Sequence, residues 1–293
     1  MKLEVGRAVW ELGERPRILG ILNATPDSFS DGGRFLDPQE AVSQGLRLAD
    51  EGADALDVGG ESTRPSGATY GEGRREVSLD EELGRVLPVV RELRRRLPLL
   101  PISIDTRKAV VAQAALAAGA DLVNDVSGGA FDPAMLPLCA RSGCGLVLMH
   151  SRGTPETMAS LASYGDVAGE VAAELRERLK AALAAGIQPE RIALDPGFGF
   201  AKSPAQSRRL LRDLGGLTGI GRPLVIGASR KALLGSAAPP AERIFESIAA
   251  AVLALERGAR LFRVHDVGAT VRALRAAWAV LREGERAPPS WTT

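Results

Sequence analysis

Eight short apolar runs in this chain each end at, or carry, a residue that can do chemistry. ILGIL stops at Asn23, ALDVGG carries Asp57, PISID ends at Asp105, and DLVND at Asn124 and Asp125. GLVLMH ends at His150, RIALD at Asp195, PLVIGASRK at Ser229 and Lys231, and RLFRVHD at Arg263 and His265. Asp105, Asn124 and Asp195 each follow three or four apolar residues, so each is expected to be at least partly buried. A buried carboxylate is costly unless it is hydrogen-bonded. Two carboxylates and an amide lining one pocket suit a flat ligand rich in N–H donors, such as an amino-heterocycle. Taken alone, Asp105 with Thr106 has the competing task of capping the next helix. Ser229-Arg230-Lys231 and Arg263-x-His265 offer a planar fork and point charges suited to phosphate oxygens. His150 is weaker evidence and is read as a residue that orders its own loop.

A helix-like segment follows each run, and eight strand-then-helix units make a (β/α)8 TIM barrel, whose active site lies at the C-terminal ends of the strands. The strands are expected at 17–22, 54–58, 101–105, 121–126, 145–149, 191–195, 223–227 and 260–264. The helices are expected at 38–51, 79–96, 107–118, 133–142, 164–185, 204–214, 240–257 and 267–283. Asp37-Pro38 reads as an N-cap with proline at the first helical position. In the second helix SLDEE at the start and RRR at the end suit the helix dipole. The runs are near-continuously apolar, as in a parallel sheet covered on both faces. A doubly wound open sheet is the structural alternative, and the lack of a glycine fingerprint after strand one weighs against it. Residues 1–16 read as a strand and turn covering the barrel bottom, 17–284 as the barrel, and 285–293 as a disordered tail.

The 293 residues are 45% hydrophobic and 25% charged with net charge +1, which argues against a strong electrostatic role on nucleic acid or an acidic membrane. No run reaches the length of a membrane span, and the N-terminus has no apolar core of signal-peptide length, so the cytoplasm is the expected location. Cys139 and Cys144 have poor zinc spacing and form no disulfide framework, and are read as reduced and packed. Basic residues are 32 Arg and only 5 Lys, so Lys202 and Lys231, both in candidate loops, stand out. GFGFAKS at 197–203 resembles a phosphate-binding loop, but Ala201 sits where that motif needs glycine.

Two long loops flank the first helix. NATPDSFSDGG carries Asp27, Phe29 and Asp31, and reads either as a surface loop of turn residues or as a mobile lid. GGESTRPSGATYGEG sets Arg64 on a segment stiffened by Pro65. Charge sign alone suggests an Arg64–Asp31 pair that would close both loops together.

NATPDSFSDGG, DVGGESTRP, SIDT, NDVSGG, LMHSRGTPETM, LDPGFGFAK, GASRK and RVHDV occur in this order over about residues 18–266. In this the chain resembles the dihydropteroate synthases, a family targeted by sulfonamides. The resemblance implies a (β/α)8 barrel, usually a homodimer, that uses Mg2+. It implies a transferase that joins 6-hydroxymethyl-7,8-dihydropterin diphosphate to p-aminobenzoate, giving 7,8-dihydropteroate and diphosphate in folate biosynthesis.

By the same resemblance Asn23 helps bind Mg2+ and diphosphate. Asp105, Asn124 and Asp195 hydrogen-bond the pterin, Met149 and Phe200 form its apolar walls, Gly227 lines its site, and Lys231 reaches its edge. Arg263 and His265 match the diphosphate pair. Phe29, Thr63, Arg64 and Pro65 match the residues that enclose p-aminobenzoate. Asp105, Lys231, Arg263 and His265 are the implied catalytic set. Asp57 is read as no more than a support for the second loop.

Three departures matter. Ala232 stands where many members have Ser, Ala201 where Gly is frequent (read as having little effect), and the second loop is longer after Pro65. Two rival functions remain at this level: a pterin-binding methyltransferase domain serving a corrinoid partner, and a non-catalytic pterin-binding module. The first needs neither the diphosphate pair nor the NATPDSFSDGG segment. The second requires the loss of a reacting group.

Overall fold

A computed structural model describes residues 1–24, 38–61, 77–154, 157–234 and 238–283. A hairpin of β1 (Lys2–Val5) and β2 (Ala8–Glu11) comes first. The parallel strands follow as β3 (Arg17–Asn23), β4 (Ala55–Gly59), β5 (Ile102–Asp105), β6 (Leu122–Asp125), β7 (Gly145–Met149), β8 (Ile192–Asp195), β9 (Val225–Ile226) and β10 (Leu261–Val264). The helices are α1 (Pro38–Asp50), α2 (Leu79–Arg96), α3 (Ala109–Ala118), α4 (Met135–Ser142), α5 (Val167–Ala184), α6 (Pro204–Arg212), α7 (Ile244–Glu256) and α8 (Val267–Leu281).

The sheet runs β8-β7-β6-β5-β4-β3-β10-β9. Its two ends meet where Leu194 bridges Leu224 and the Leu194 N–H donates to the Pro223 carbonyl at 2.8 Å. An open sheet leaves its end strands apart, so the doubly wound alternative is excluded. β9 is the short strand of the ring, two residues against the expected five, and lies between Pro223, which has no N–H to give a ladder, and Gly227.

Alternation along each strand separates two hydrophobic clusters. Leu19, Ala55, Leu122, Val147, Ala193, Val225 and Leu261 pack with Leu3, Val5, Trp10 and Leu12 of the N-terminal segment. These point into the barrel, and the hairpin side chains close its lower end. Ile18, Leu56, Ile104, Val123, Leu146, Leu194 and Phe262 belong instead to the larger cluster with the helices. Successive strand side chains face opposite sides, so residues two positions beyond an inward residue also face inward. Ala55 thereby predicts Asp57, Leu122 predicts Asn124, Ala193 predicts Asp195, and Leu261 predicts Arg263. Asp125 and His150 have the opposite parity.

Local signals set the helix ends. Ser78 caps α2 by accepting from Glu81 N–H, and Ser203 with Gln206 forms a reciprocal capping box on α6. α3 starts at Ala109, two residues later than expected. Its Ala109 N–H is bonded by Asp132 Oδ2 at 2.8 Å, so Asp105 does not cap this helix and is left to the barrel interior. Cys139 and Cys144 are free thiols and buried. Asp37 and the conjectured Arg64–Asp31 pair lie outside the described residues.

Candidate active site

Strand register sets one ring of residues at the barrel mouth. Asn23 pairs with Gly59, Gly59 with Asp105, and Asp105 with Asn124. Met149 pairs with Asp195 on the far side. Gly59 leaves the ring open beside Asp105, where an added Cβ would lie 3.5 Å from the Asp105 Cβ.

Arg263 ties this ring together. Its Nε donates to Asp57 Oδ2 and its Nη2 to Asp105 Oδ2, each at 2.5 Å. Asn124 Nδ2 donates to the same Asp57 oxygen at 3.1 Å. Asp57 is fully buried, and Asp105 and Asn124 nearly so. Asp57 therefore belongs to the centre of the site, which corrects its reading as a support for the second loop. Its parity with Ala55 was the signal that could have found it.

The second oxygens carry the most information. Asp57 Oδ1 and Asp105 Oδ1 are buried and have no hydrogen-bond partner among the described residues. Two orphaned acceptors at the mouth of a barrel are costly unless a ligand supplies N–H donors. Burial pushes the Asp105 carboxyl above its ordinary range, with Arg263 pulling the other way and Asp57 adding to the rise. Arg263 stays charged, because the attraction of Asp57 and Asp105 outweighs its own burial.

Asp195 forms the other wall. Its Oδ1 accepts from Gly197 N–H at 2.7 Å. A Cβ at Gly227 would come within 3.4 Å of its Oδ2, so glycine leaves that approach clear. Burial raises the Asp195 pKa, while the positive charges of Lys231, Arg263 and Lys202 oppose the rise. Lys231 Nζ donates to the Phe198 carbonyl at 2.5 Å and lies 4.5 Å from the centre of the Phe200 ring. His265 Nδ1 lies 3.0 Å from Ser229 Oγ, which also accepts from the His265 N–H at 3.2 Å. Arg230 joins the same two loops by a two-pronged pair with Asp266, at 2.6 and 3.1 Å.

The structure thus links Asp105 directly to Arg263, and Asn124 to Arg263 through the Asp57 oxygen that both bond. Asn23, Met149, Asp195 and Gly227 lie at the ends of the strands around them, and Lys231, Phe200 and His265 on the adjoining loops. Phe29, Thr63, Arg64 and Pro65 lie outside the described residues. His150 is fully buried and does not face the barrel interior. Its Nδ1 lies 2.8 Å from Lys202 Nζ and its Nε2 3.0 Å from Glu174 Oε2. Burial and the charges of Lys202, Arg178 and Arg152 push its pKa down to about 2. Burial likewise brings Lys202 down to about 7. Ala201 adopts φ 48°, a left-handed conformation that costs a residue with a Cβ about 1–2 kcal/mol. Glycine would avoid that strain, which corrects the view that this replacement has little effect.

Residues 19–265 match the model of the family described as pterin binding enzyme. That span covers nearly the whole barrel, from β3 to His265, the residue after β10. A dihydropteroate synthase of Synechocystis sp. is 44% identical over 283 residues, covering 96% of this chain and 95% of the relative. The chain belongs to the dihydropteroate synthase family. Among solved structures, a Xanthomonas albilineans dihydropteroate synthase with 4-aminobenzoic acid is 46% identical, covers 93% of this chain and 95% of its own, and superposes with a TM-score of 0.84. The X. albilineans enzyme in complex with 7,8-dihydropteroate is 44% identical, with coverages of 96% and 99% and a TM-score of 0.84. These similarities run along the full barrel of a dihydropteroate synthase, not along an isolated motif.

Proposed function

We propose that this chain condenses 6-hydroxymethyl-7,8-dihydropterin diphosphate with p-aminobenzoate, releasing diphosphate. The observation that carries the reading is the pair of buried, unpartnered oxygens on Asp57 and Asp105 beside Arg263. A pterin ring presents N–H donors to such acceptors. Asp105, Asn124 and Asp195 would hydrogen-bond the ring. Met149 and Phe200 would pack on its faces, Gly227 would leave room for it, and Lys231 would meet its edge.

The C–O bond to diphosphate breaks at the methylene attached to the ring, and the ring delocalises the positive charge that develops. Asp105 stabilises that cation, while Arg263 and His265 take up charge on the departing diphosphate. The arylamine nitrogen then attacks the methylene and loses a proton, so no side chain serves as a covalent nucleophile. Phe29, Thr63, Arg64 and Pro65 are assigned to p-aminobenzoate on the family resemblance.

Among the described residues no cluster of three or more His, Cys, Asp or Glu side chains is arranged to hold a metal ion. The residue that fits Mg2+ is Asn23, whose side-chain amide at the end of β3, beside Gly59, offers an oxygen that could share the ion with substrate phosphates and water. Bound there, Mg2+ would neutralise diphosphate charge. A homodimer accords with the family resemblance and with the exposed Phe245, Leu253 and Val280 on the packed pair α7 and α8. None of the described helices is long and apolar enough to cross a membrane, which accords with a cytoplasmic location. Asp105→Asn tests the reading: dihydropteroate formation is lost while the circular dichroism of the fold persists. Full activity in that variant contradicts the assignment of Asp105.

A further inference from the structure

Lys202 is 7% exposed and lies outside the barrel interior. Its ammonium has three donors, and the structure uses each: His150 Nδ1 at 2.8 Å, the Gly197 carbonyl at 3.1 Å and the Phe200 carbonyl at 3.0 Å. Between those two carbonyls, the Phe198 carbonyl accepts from Lys231. Two lysines therefore grip a single four-residue loop, Gly197 to Phe200. One of them, Lys231, belongs to the substrate site. The other does not reach it.

The anchor for this grip is equally fixed. His150 follows β7 and is fully buried, with Nε2 against Glu174 of α5. Glu174 accepts in turn from Arg152 Nε at 2.9 Å. Arg178, also on α5, donates to the carbonyls of Ser127, Met149 and Ser151. Gly197 lies so close to the His150 backbone that an added Cβ would come 2.0 Å from its carbonyl oxygen. The loops after β6, β7 and β8 are thus tied to one helix through buried charge, and Phe200 hangs from the last of them.

We infer that Lys202, anchored by His150, is a positioning residue that sets the Phe200 wall and the Lys231 contact for the pterin ring. The inference rests on the pterin reading of the site. Lys202 touches neither substrate nor reacting atoms. It acts by fixing two carbonyls whose loop would otherwise have other conformations open to it. A preorganised wall binds the ring without the cost of ordering the loop, so its loss falls on pterin affinity. The p-aminobenzoate residues are assigned to other loops and are left as they were.

The test is Lys202→Met, with dihydropterin diphosphate affinity measured by calorimetry in the absence of p-aminobenzoate, and both KM values measured in turnover. The expected result is pterin affinity weaker by about tenfold, the size of one lost buried hydrogen bond. The KM for p-aminobenzoate stays within about twofold of the wild type, below the effect of a single hydrogen bond. Lys202→Met with His150→Leu replaces the buried polar pair by apolar groups, a change that often preserves stability, and is expected to show the same selective loss. Unchanged pterin affinity in a folded variant overturns the inference, as does an equal rise in both KM values. Failure of both variants to fold confines Lys202 to stability and overturns it as well. A wild-type chain that binds the pterin diphosphate but makes no product contradicts the proposed reaction and leaves this affinity comparison intact. A wild type that binds no pterin diphosphate overturns both.

Discussion

Arg263 Nη2 donates to Asp105 Oδ2 at 2.5 Å, joining the eighth strand of the barrel to the third across its mouth. The same guanidinium holds Asp57 on the second strand. One cation therefore stabilises two buried carboxylates while leaving one oxygen of each without a partner among the described residues. On the proposed reading Arg263 does double duty: it pairs both carboxylates with one guanidinium and places positive charge where diphosphate departs.

Arg263→Ala removes both. The turnover rate is expected to fall about 10²–10³-fold, as when a preorganised charge-stabilising donor is deleted. Leaving Asp57 and Asp105 unpaired also lowers stability by about 3–5 kcal/mol. Steady-state rates and urea unfolding of the same preparation check both effects. A variant that loses stability but keeps its turnover rate would show that Arg263 is structural alone.

Gly197 adopts φ +68°, and a Cβ there would lie 2.0 Å from the His150 carbonyl oxygen. Gly197→Ala must displace backbone, with a stability loss of about 3 kcal/mol expected from strain and clash together. The Asp195 carboxylate bonded to Gly197 N–H moves with it. Thermal unfolding and pterin binding should therefore fall together. Unchanged values for both would contradict the packing described around His150.

His150 makes the protein sensitive to acid. Its folded pKa is near 2, against about 6.5 when unfolded. Between those values the unfolded chain binds a proton that the native chain does not, so stability falls as pH drops through 6.5. From pH 6.5 to pH 5 this loss amounts to about 2 kcal/mol. His150→Gln keeps an acceptor for Lys202 and should lack that part of the loss. Urea unfolding at the two pH values distinguishes them. Lys202 has the same sign in a higher window: its lowered pKa makes stability rise with pH above about 7, until the unfolded lysine also loses its proton.

Ala232 opens a short turn, Ala232–Leu234, directly after Lys231. Many relatives by resemblance carry a serine hydroxyl there for the p-aminobenzoate carboxylate. Ala232→Ser is expected to lower the KM for p-aminobenzoate by about tenfold, the effect of one hydrogen bond to a charged group. An unchanged KM would mean that other groups already hold the carboxylate.

Much of the barrel is legible in the sequence because each strand is a short apolar run ending in a polar residue. The side of the barrel each residue faces is less obvious. The strands are buried on both faces, so apolarity does not alternate and the inner set is masked. Asp57 shows the consequence. Only its spacing of two from Ala55 marks it as inward, and it lies at the centre of the site. His150 shows the converse, since it also ends a strand but with the opposite parity, and it is buried against α5. The grip of Lys202 on Gly197 and Phe200 depends on a histidine 52 positions away, a relationship no local pattern encodes. The start of α3 shifts by two residues, where Asp132, distant in sequence, bonds the Ala109 N–H.

Product formation by the purified chain tests the proposed reaction most directly. It is supplied with 6-hydroxymethyl-7,8-dihydropterin diphosphate, p-aminobenzoate and Mg2+, and dihydropteroate and diphosphate are quantified together. The expected result is the two products in equal amounts, dependent on both substrates. Intact pterin diphosphate and no dihydropteroate, from a folded chain, would contradict it.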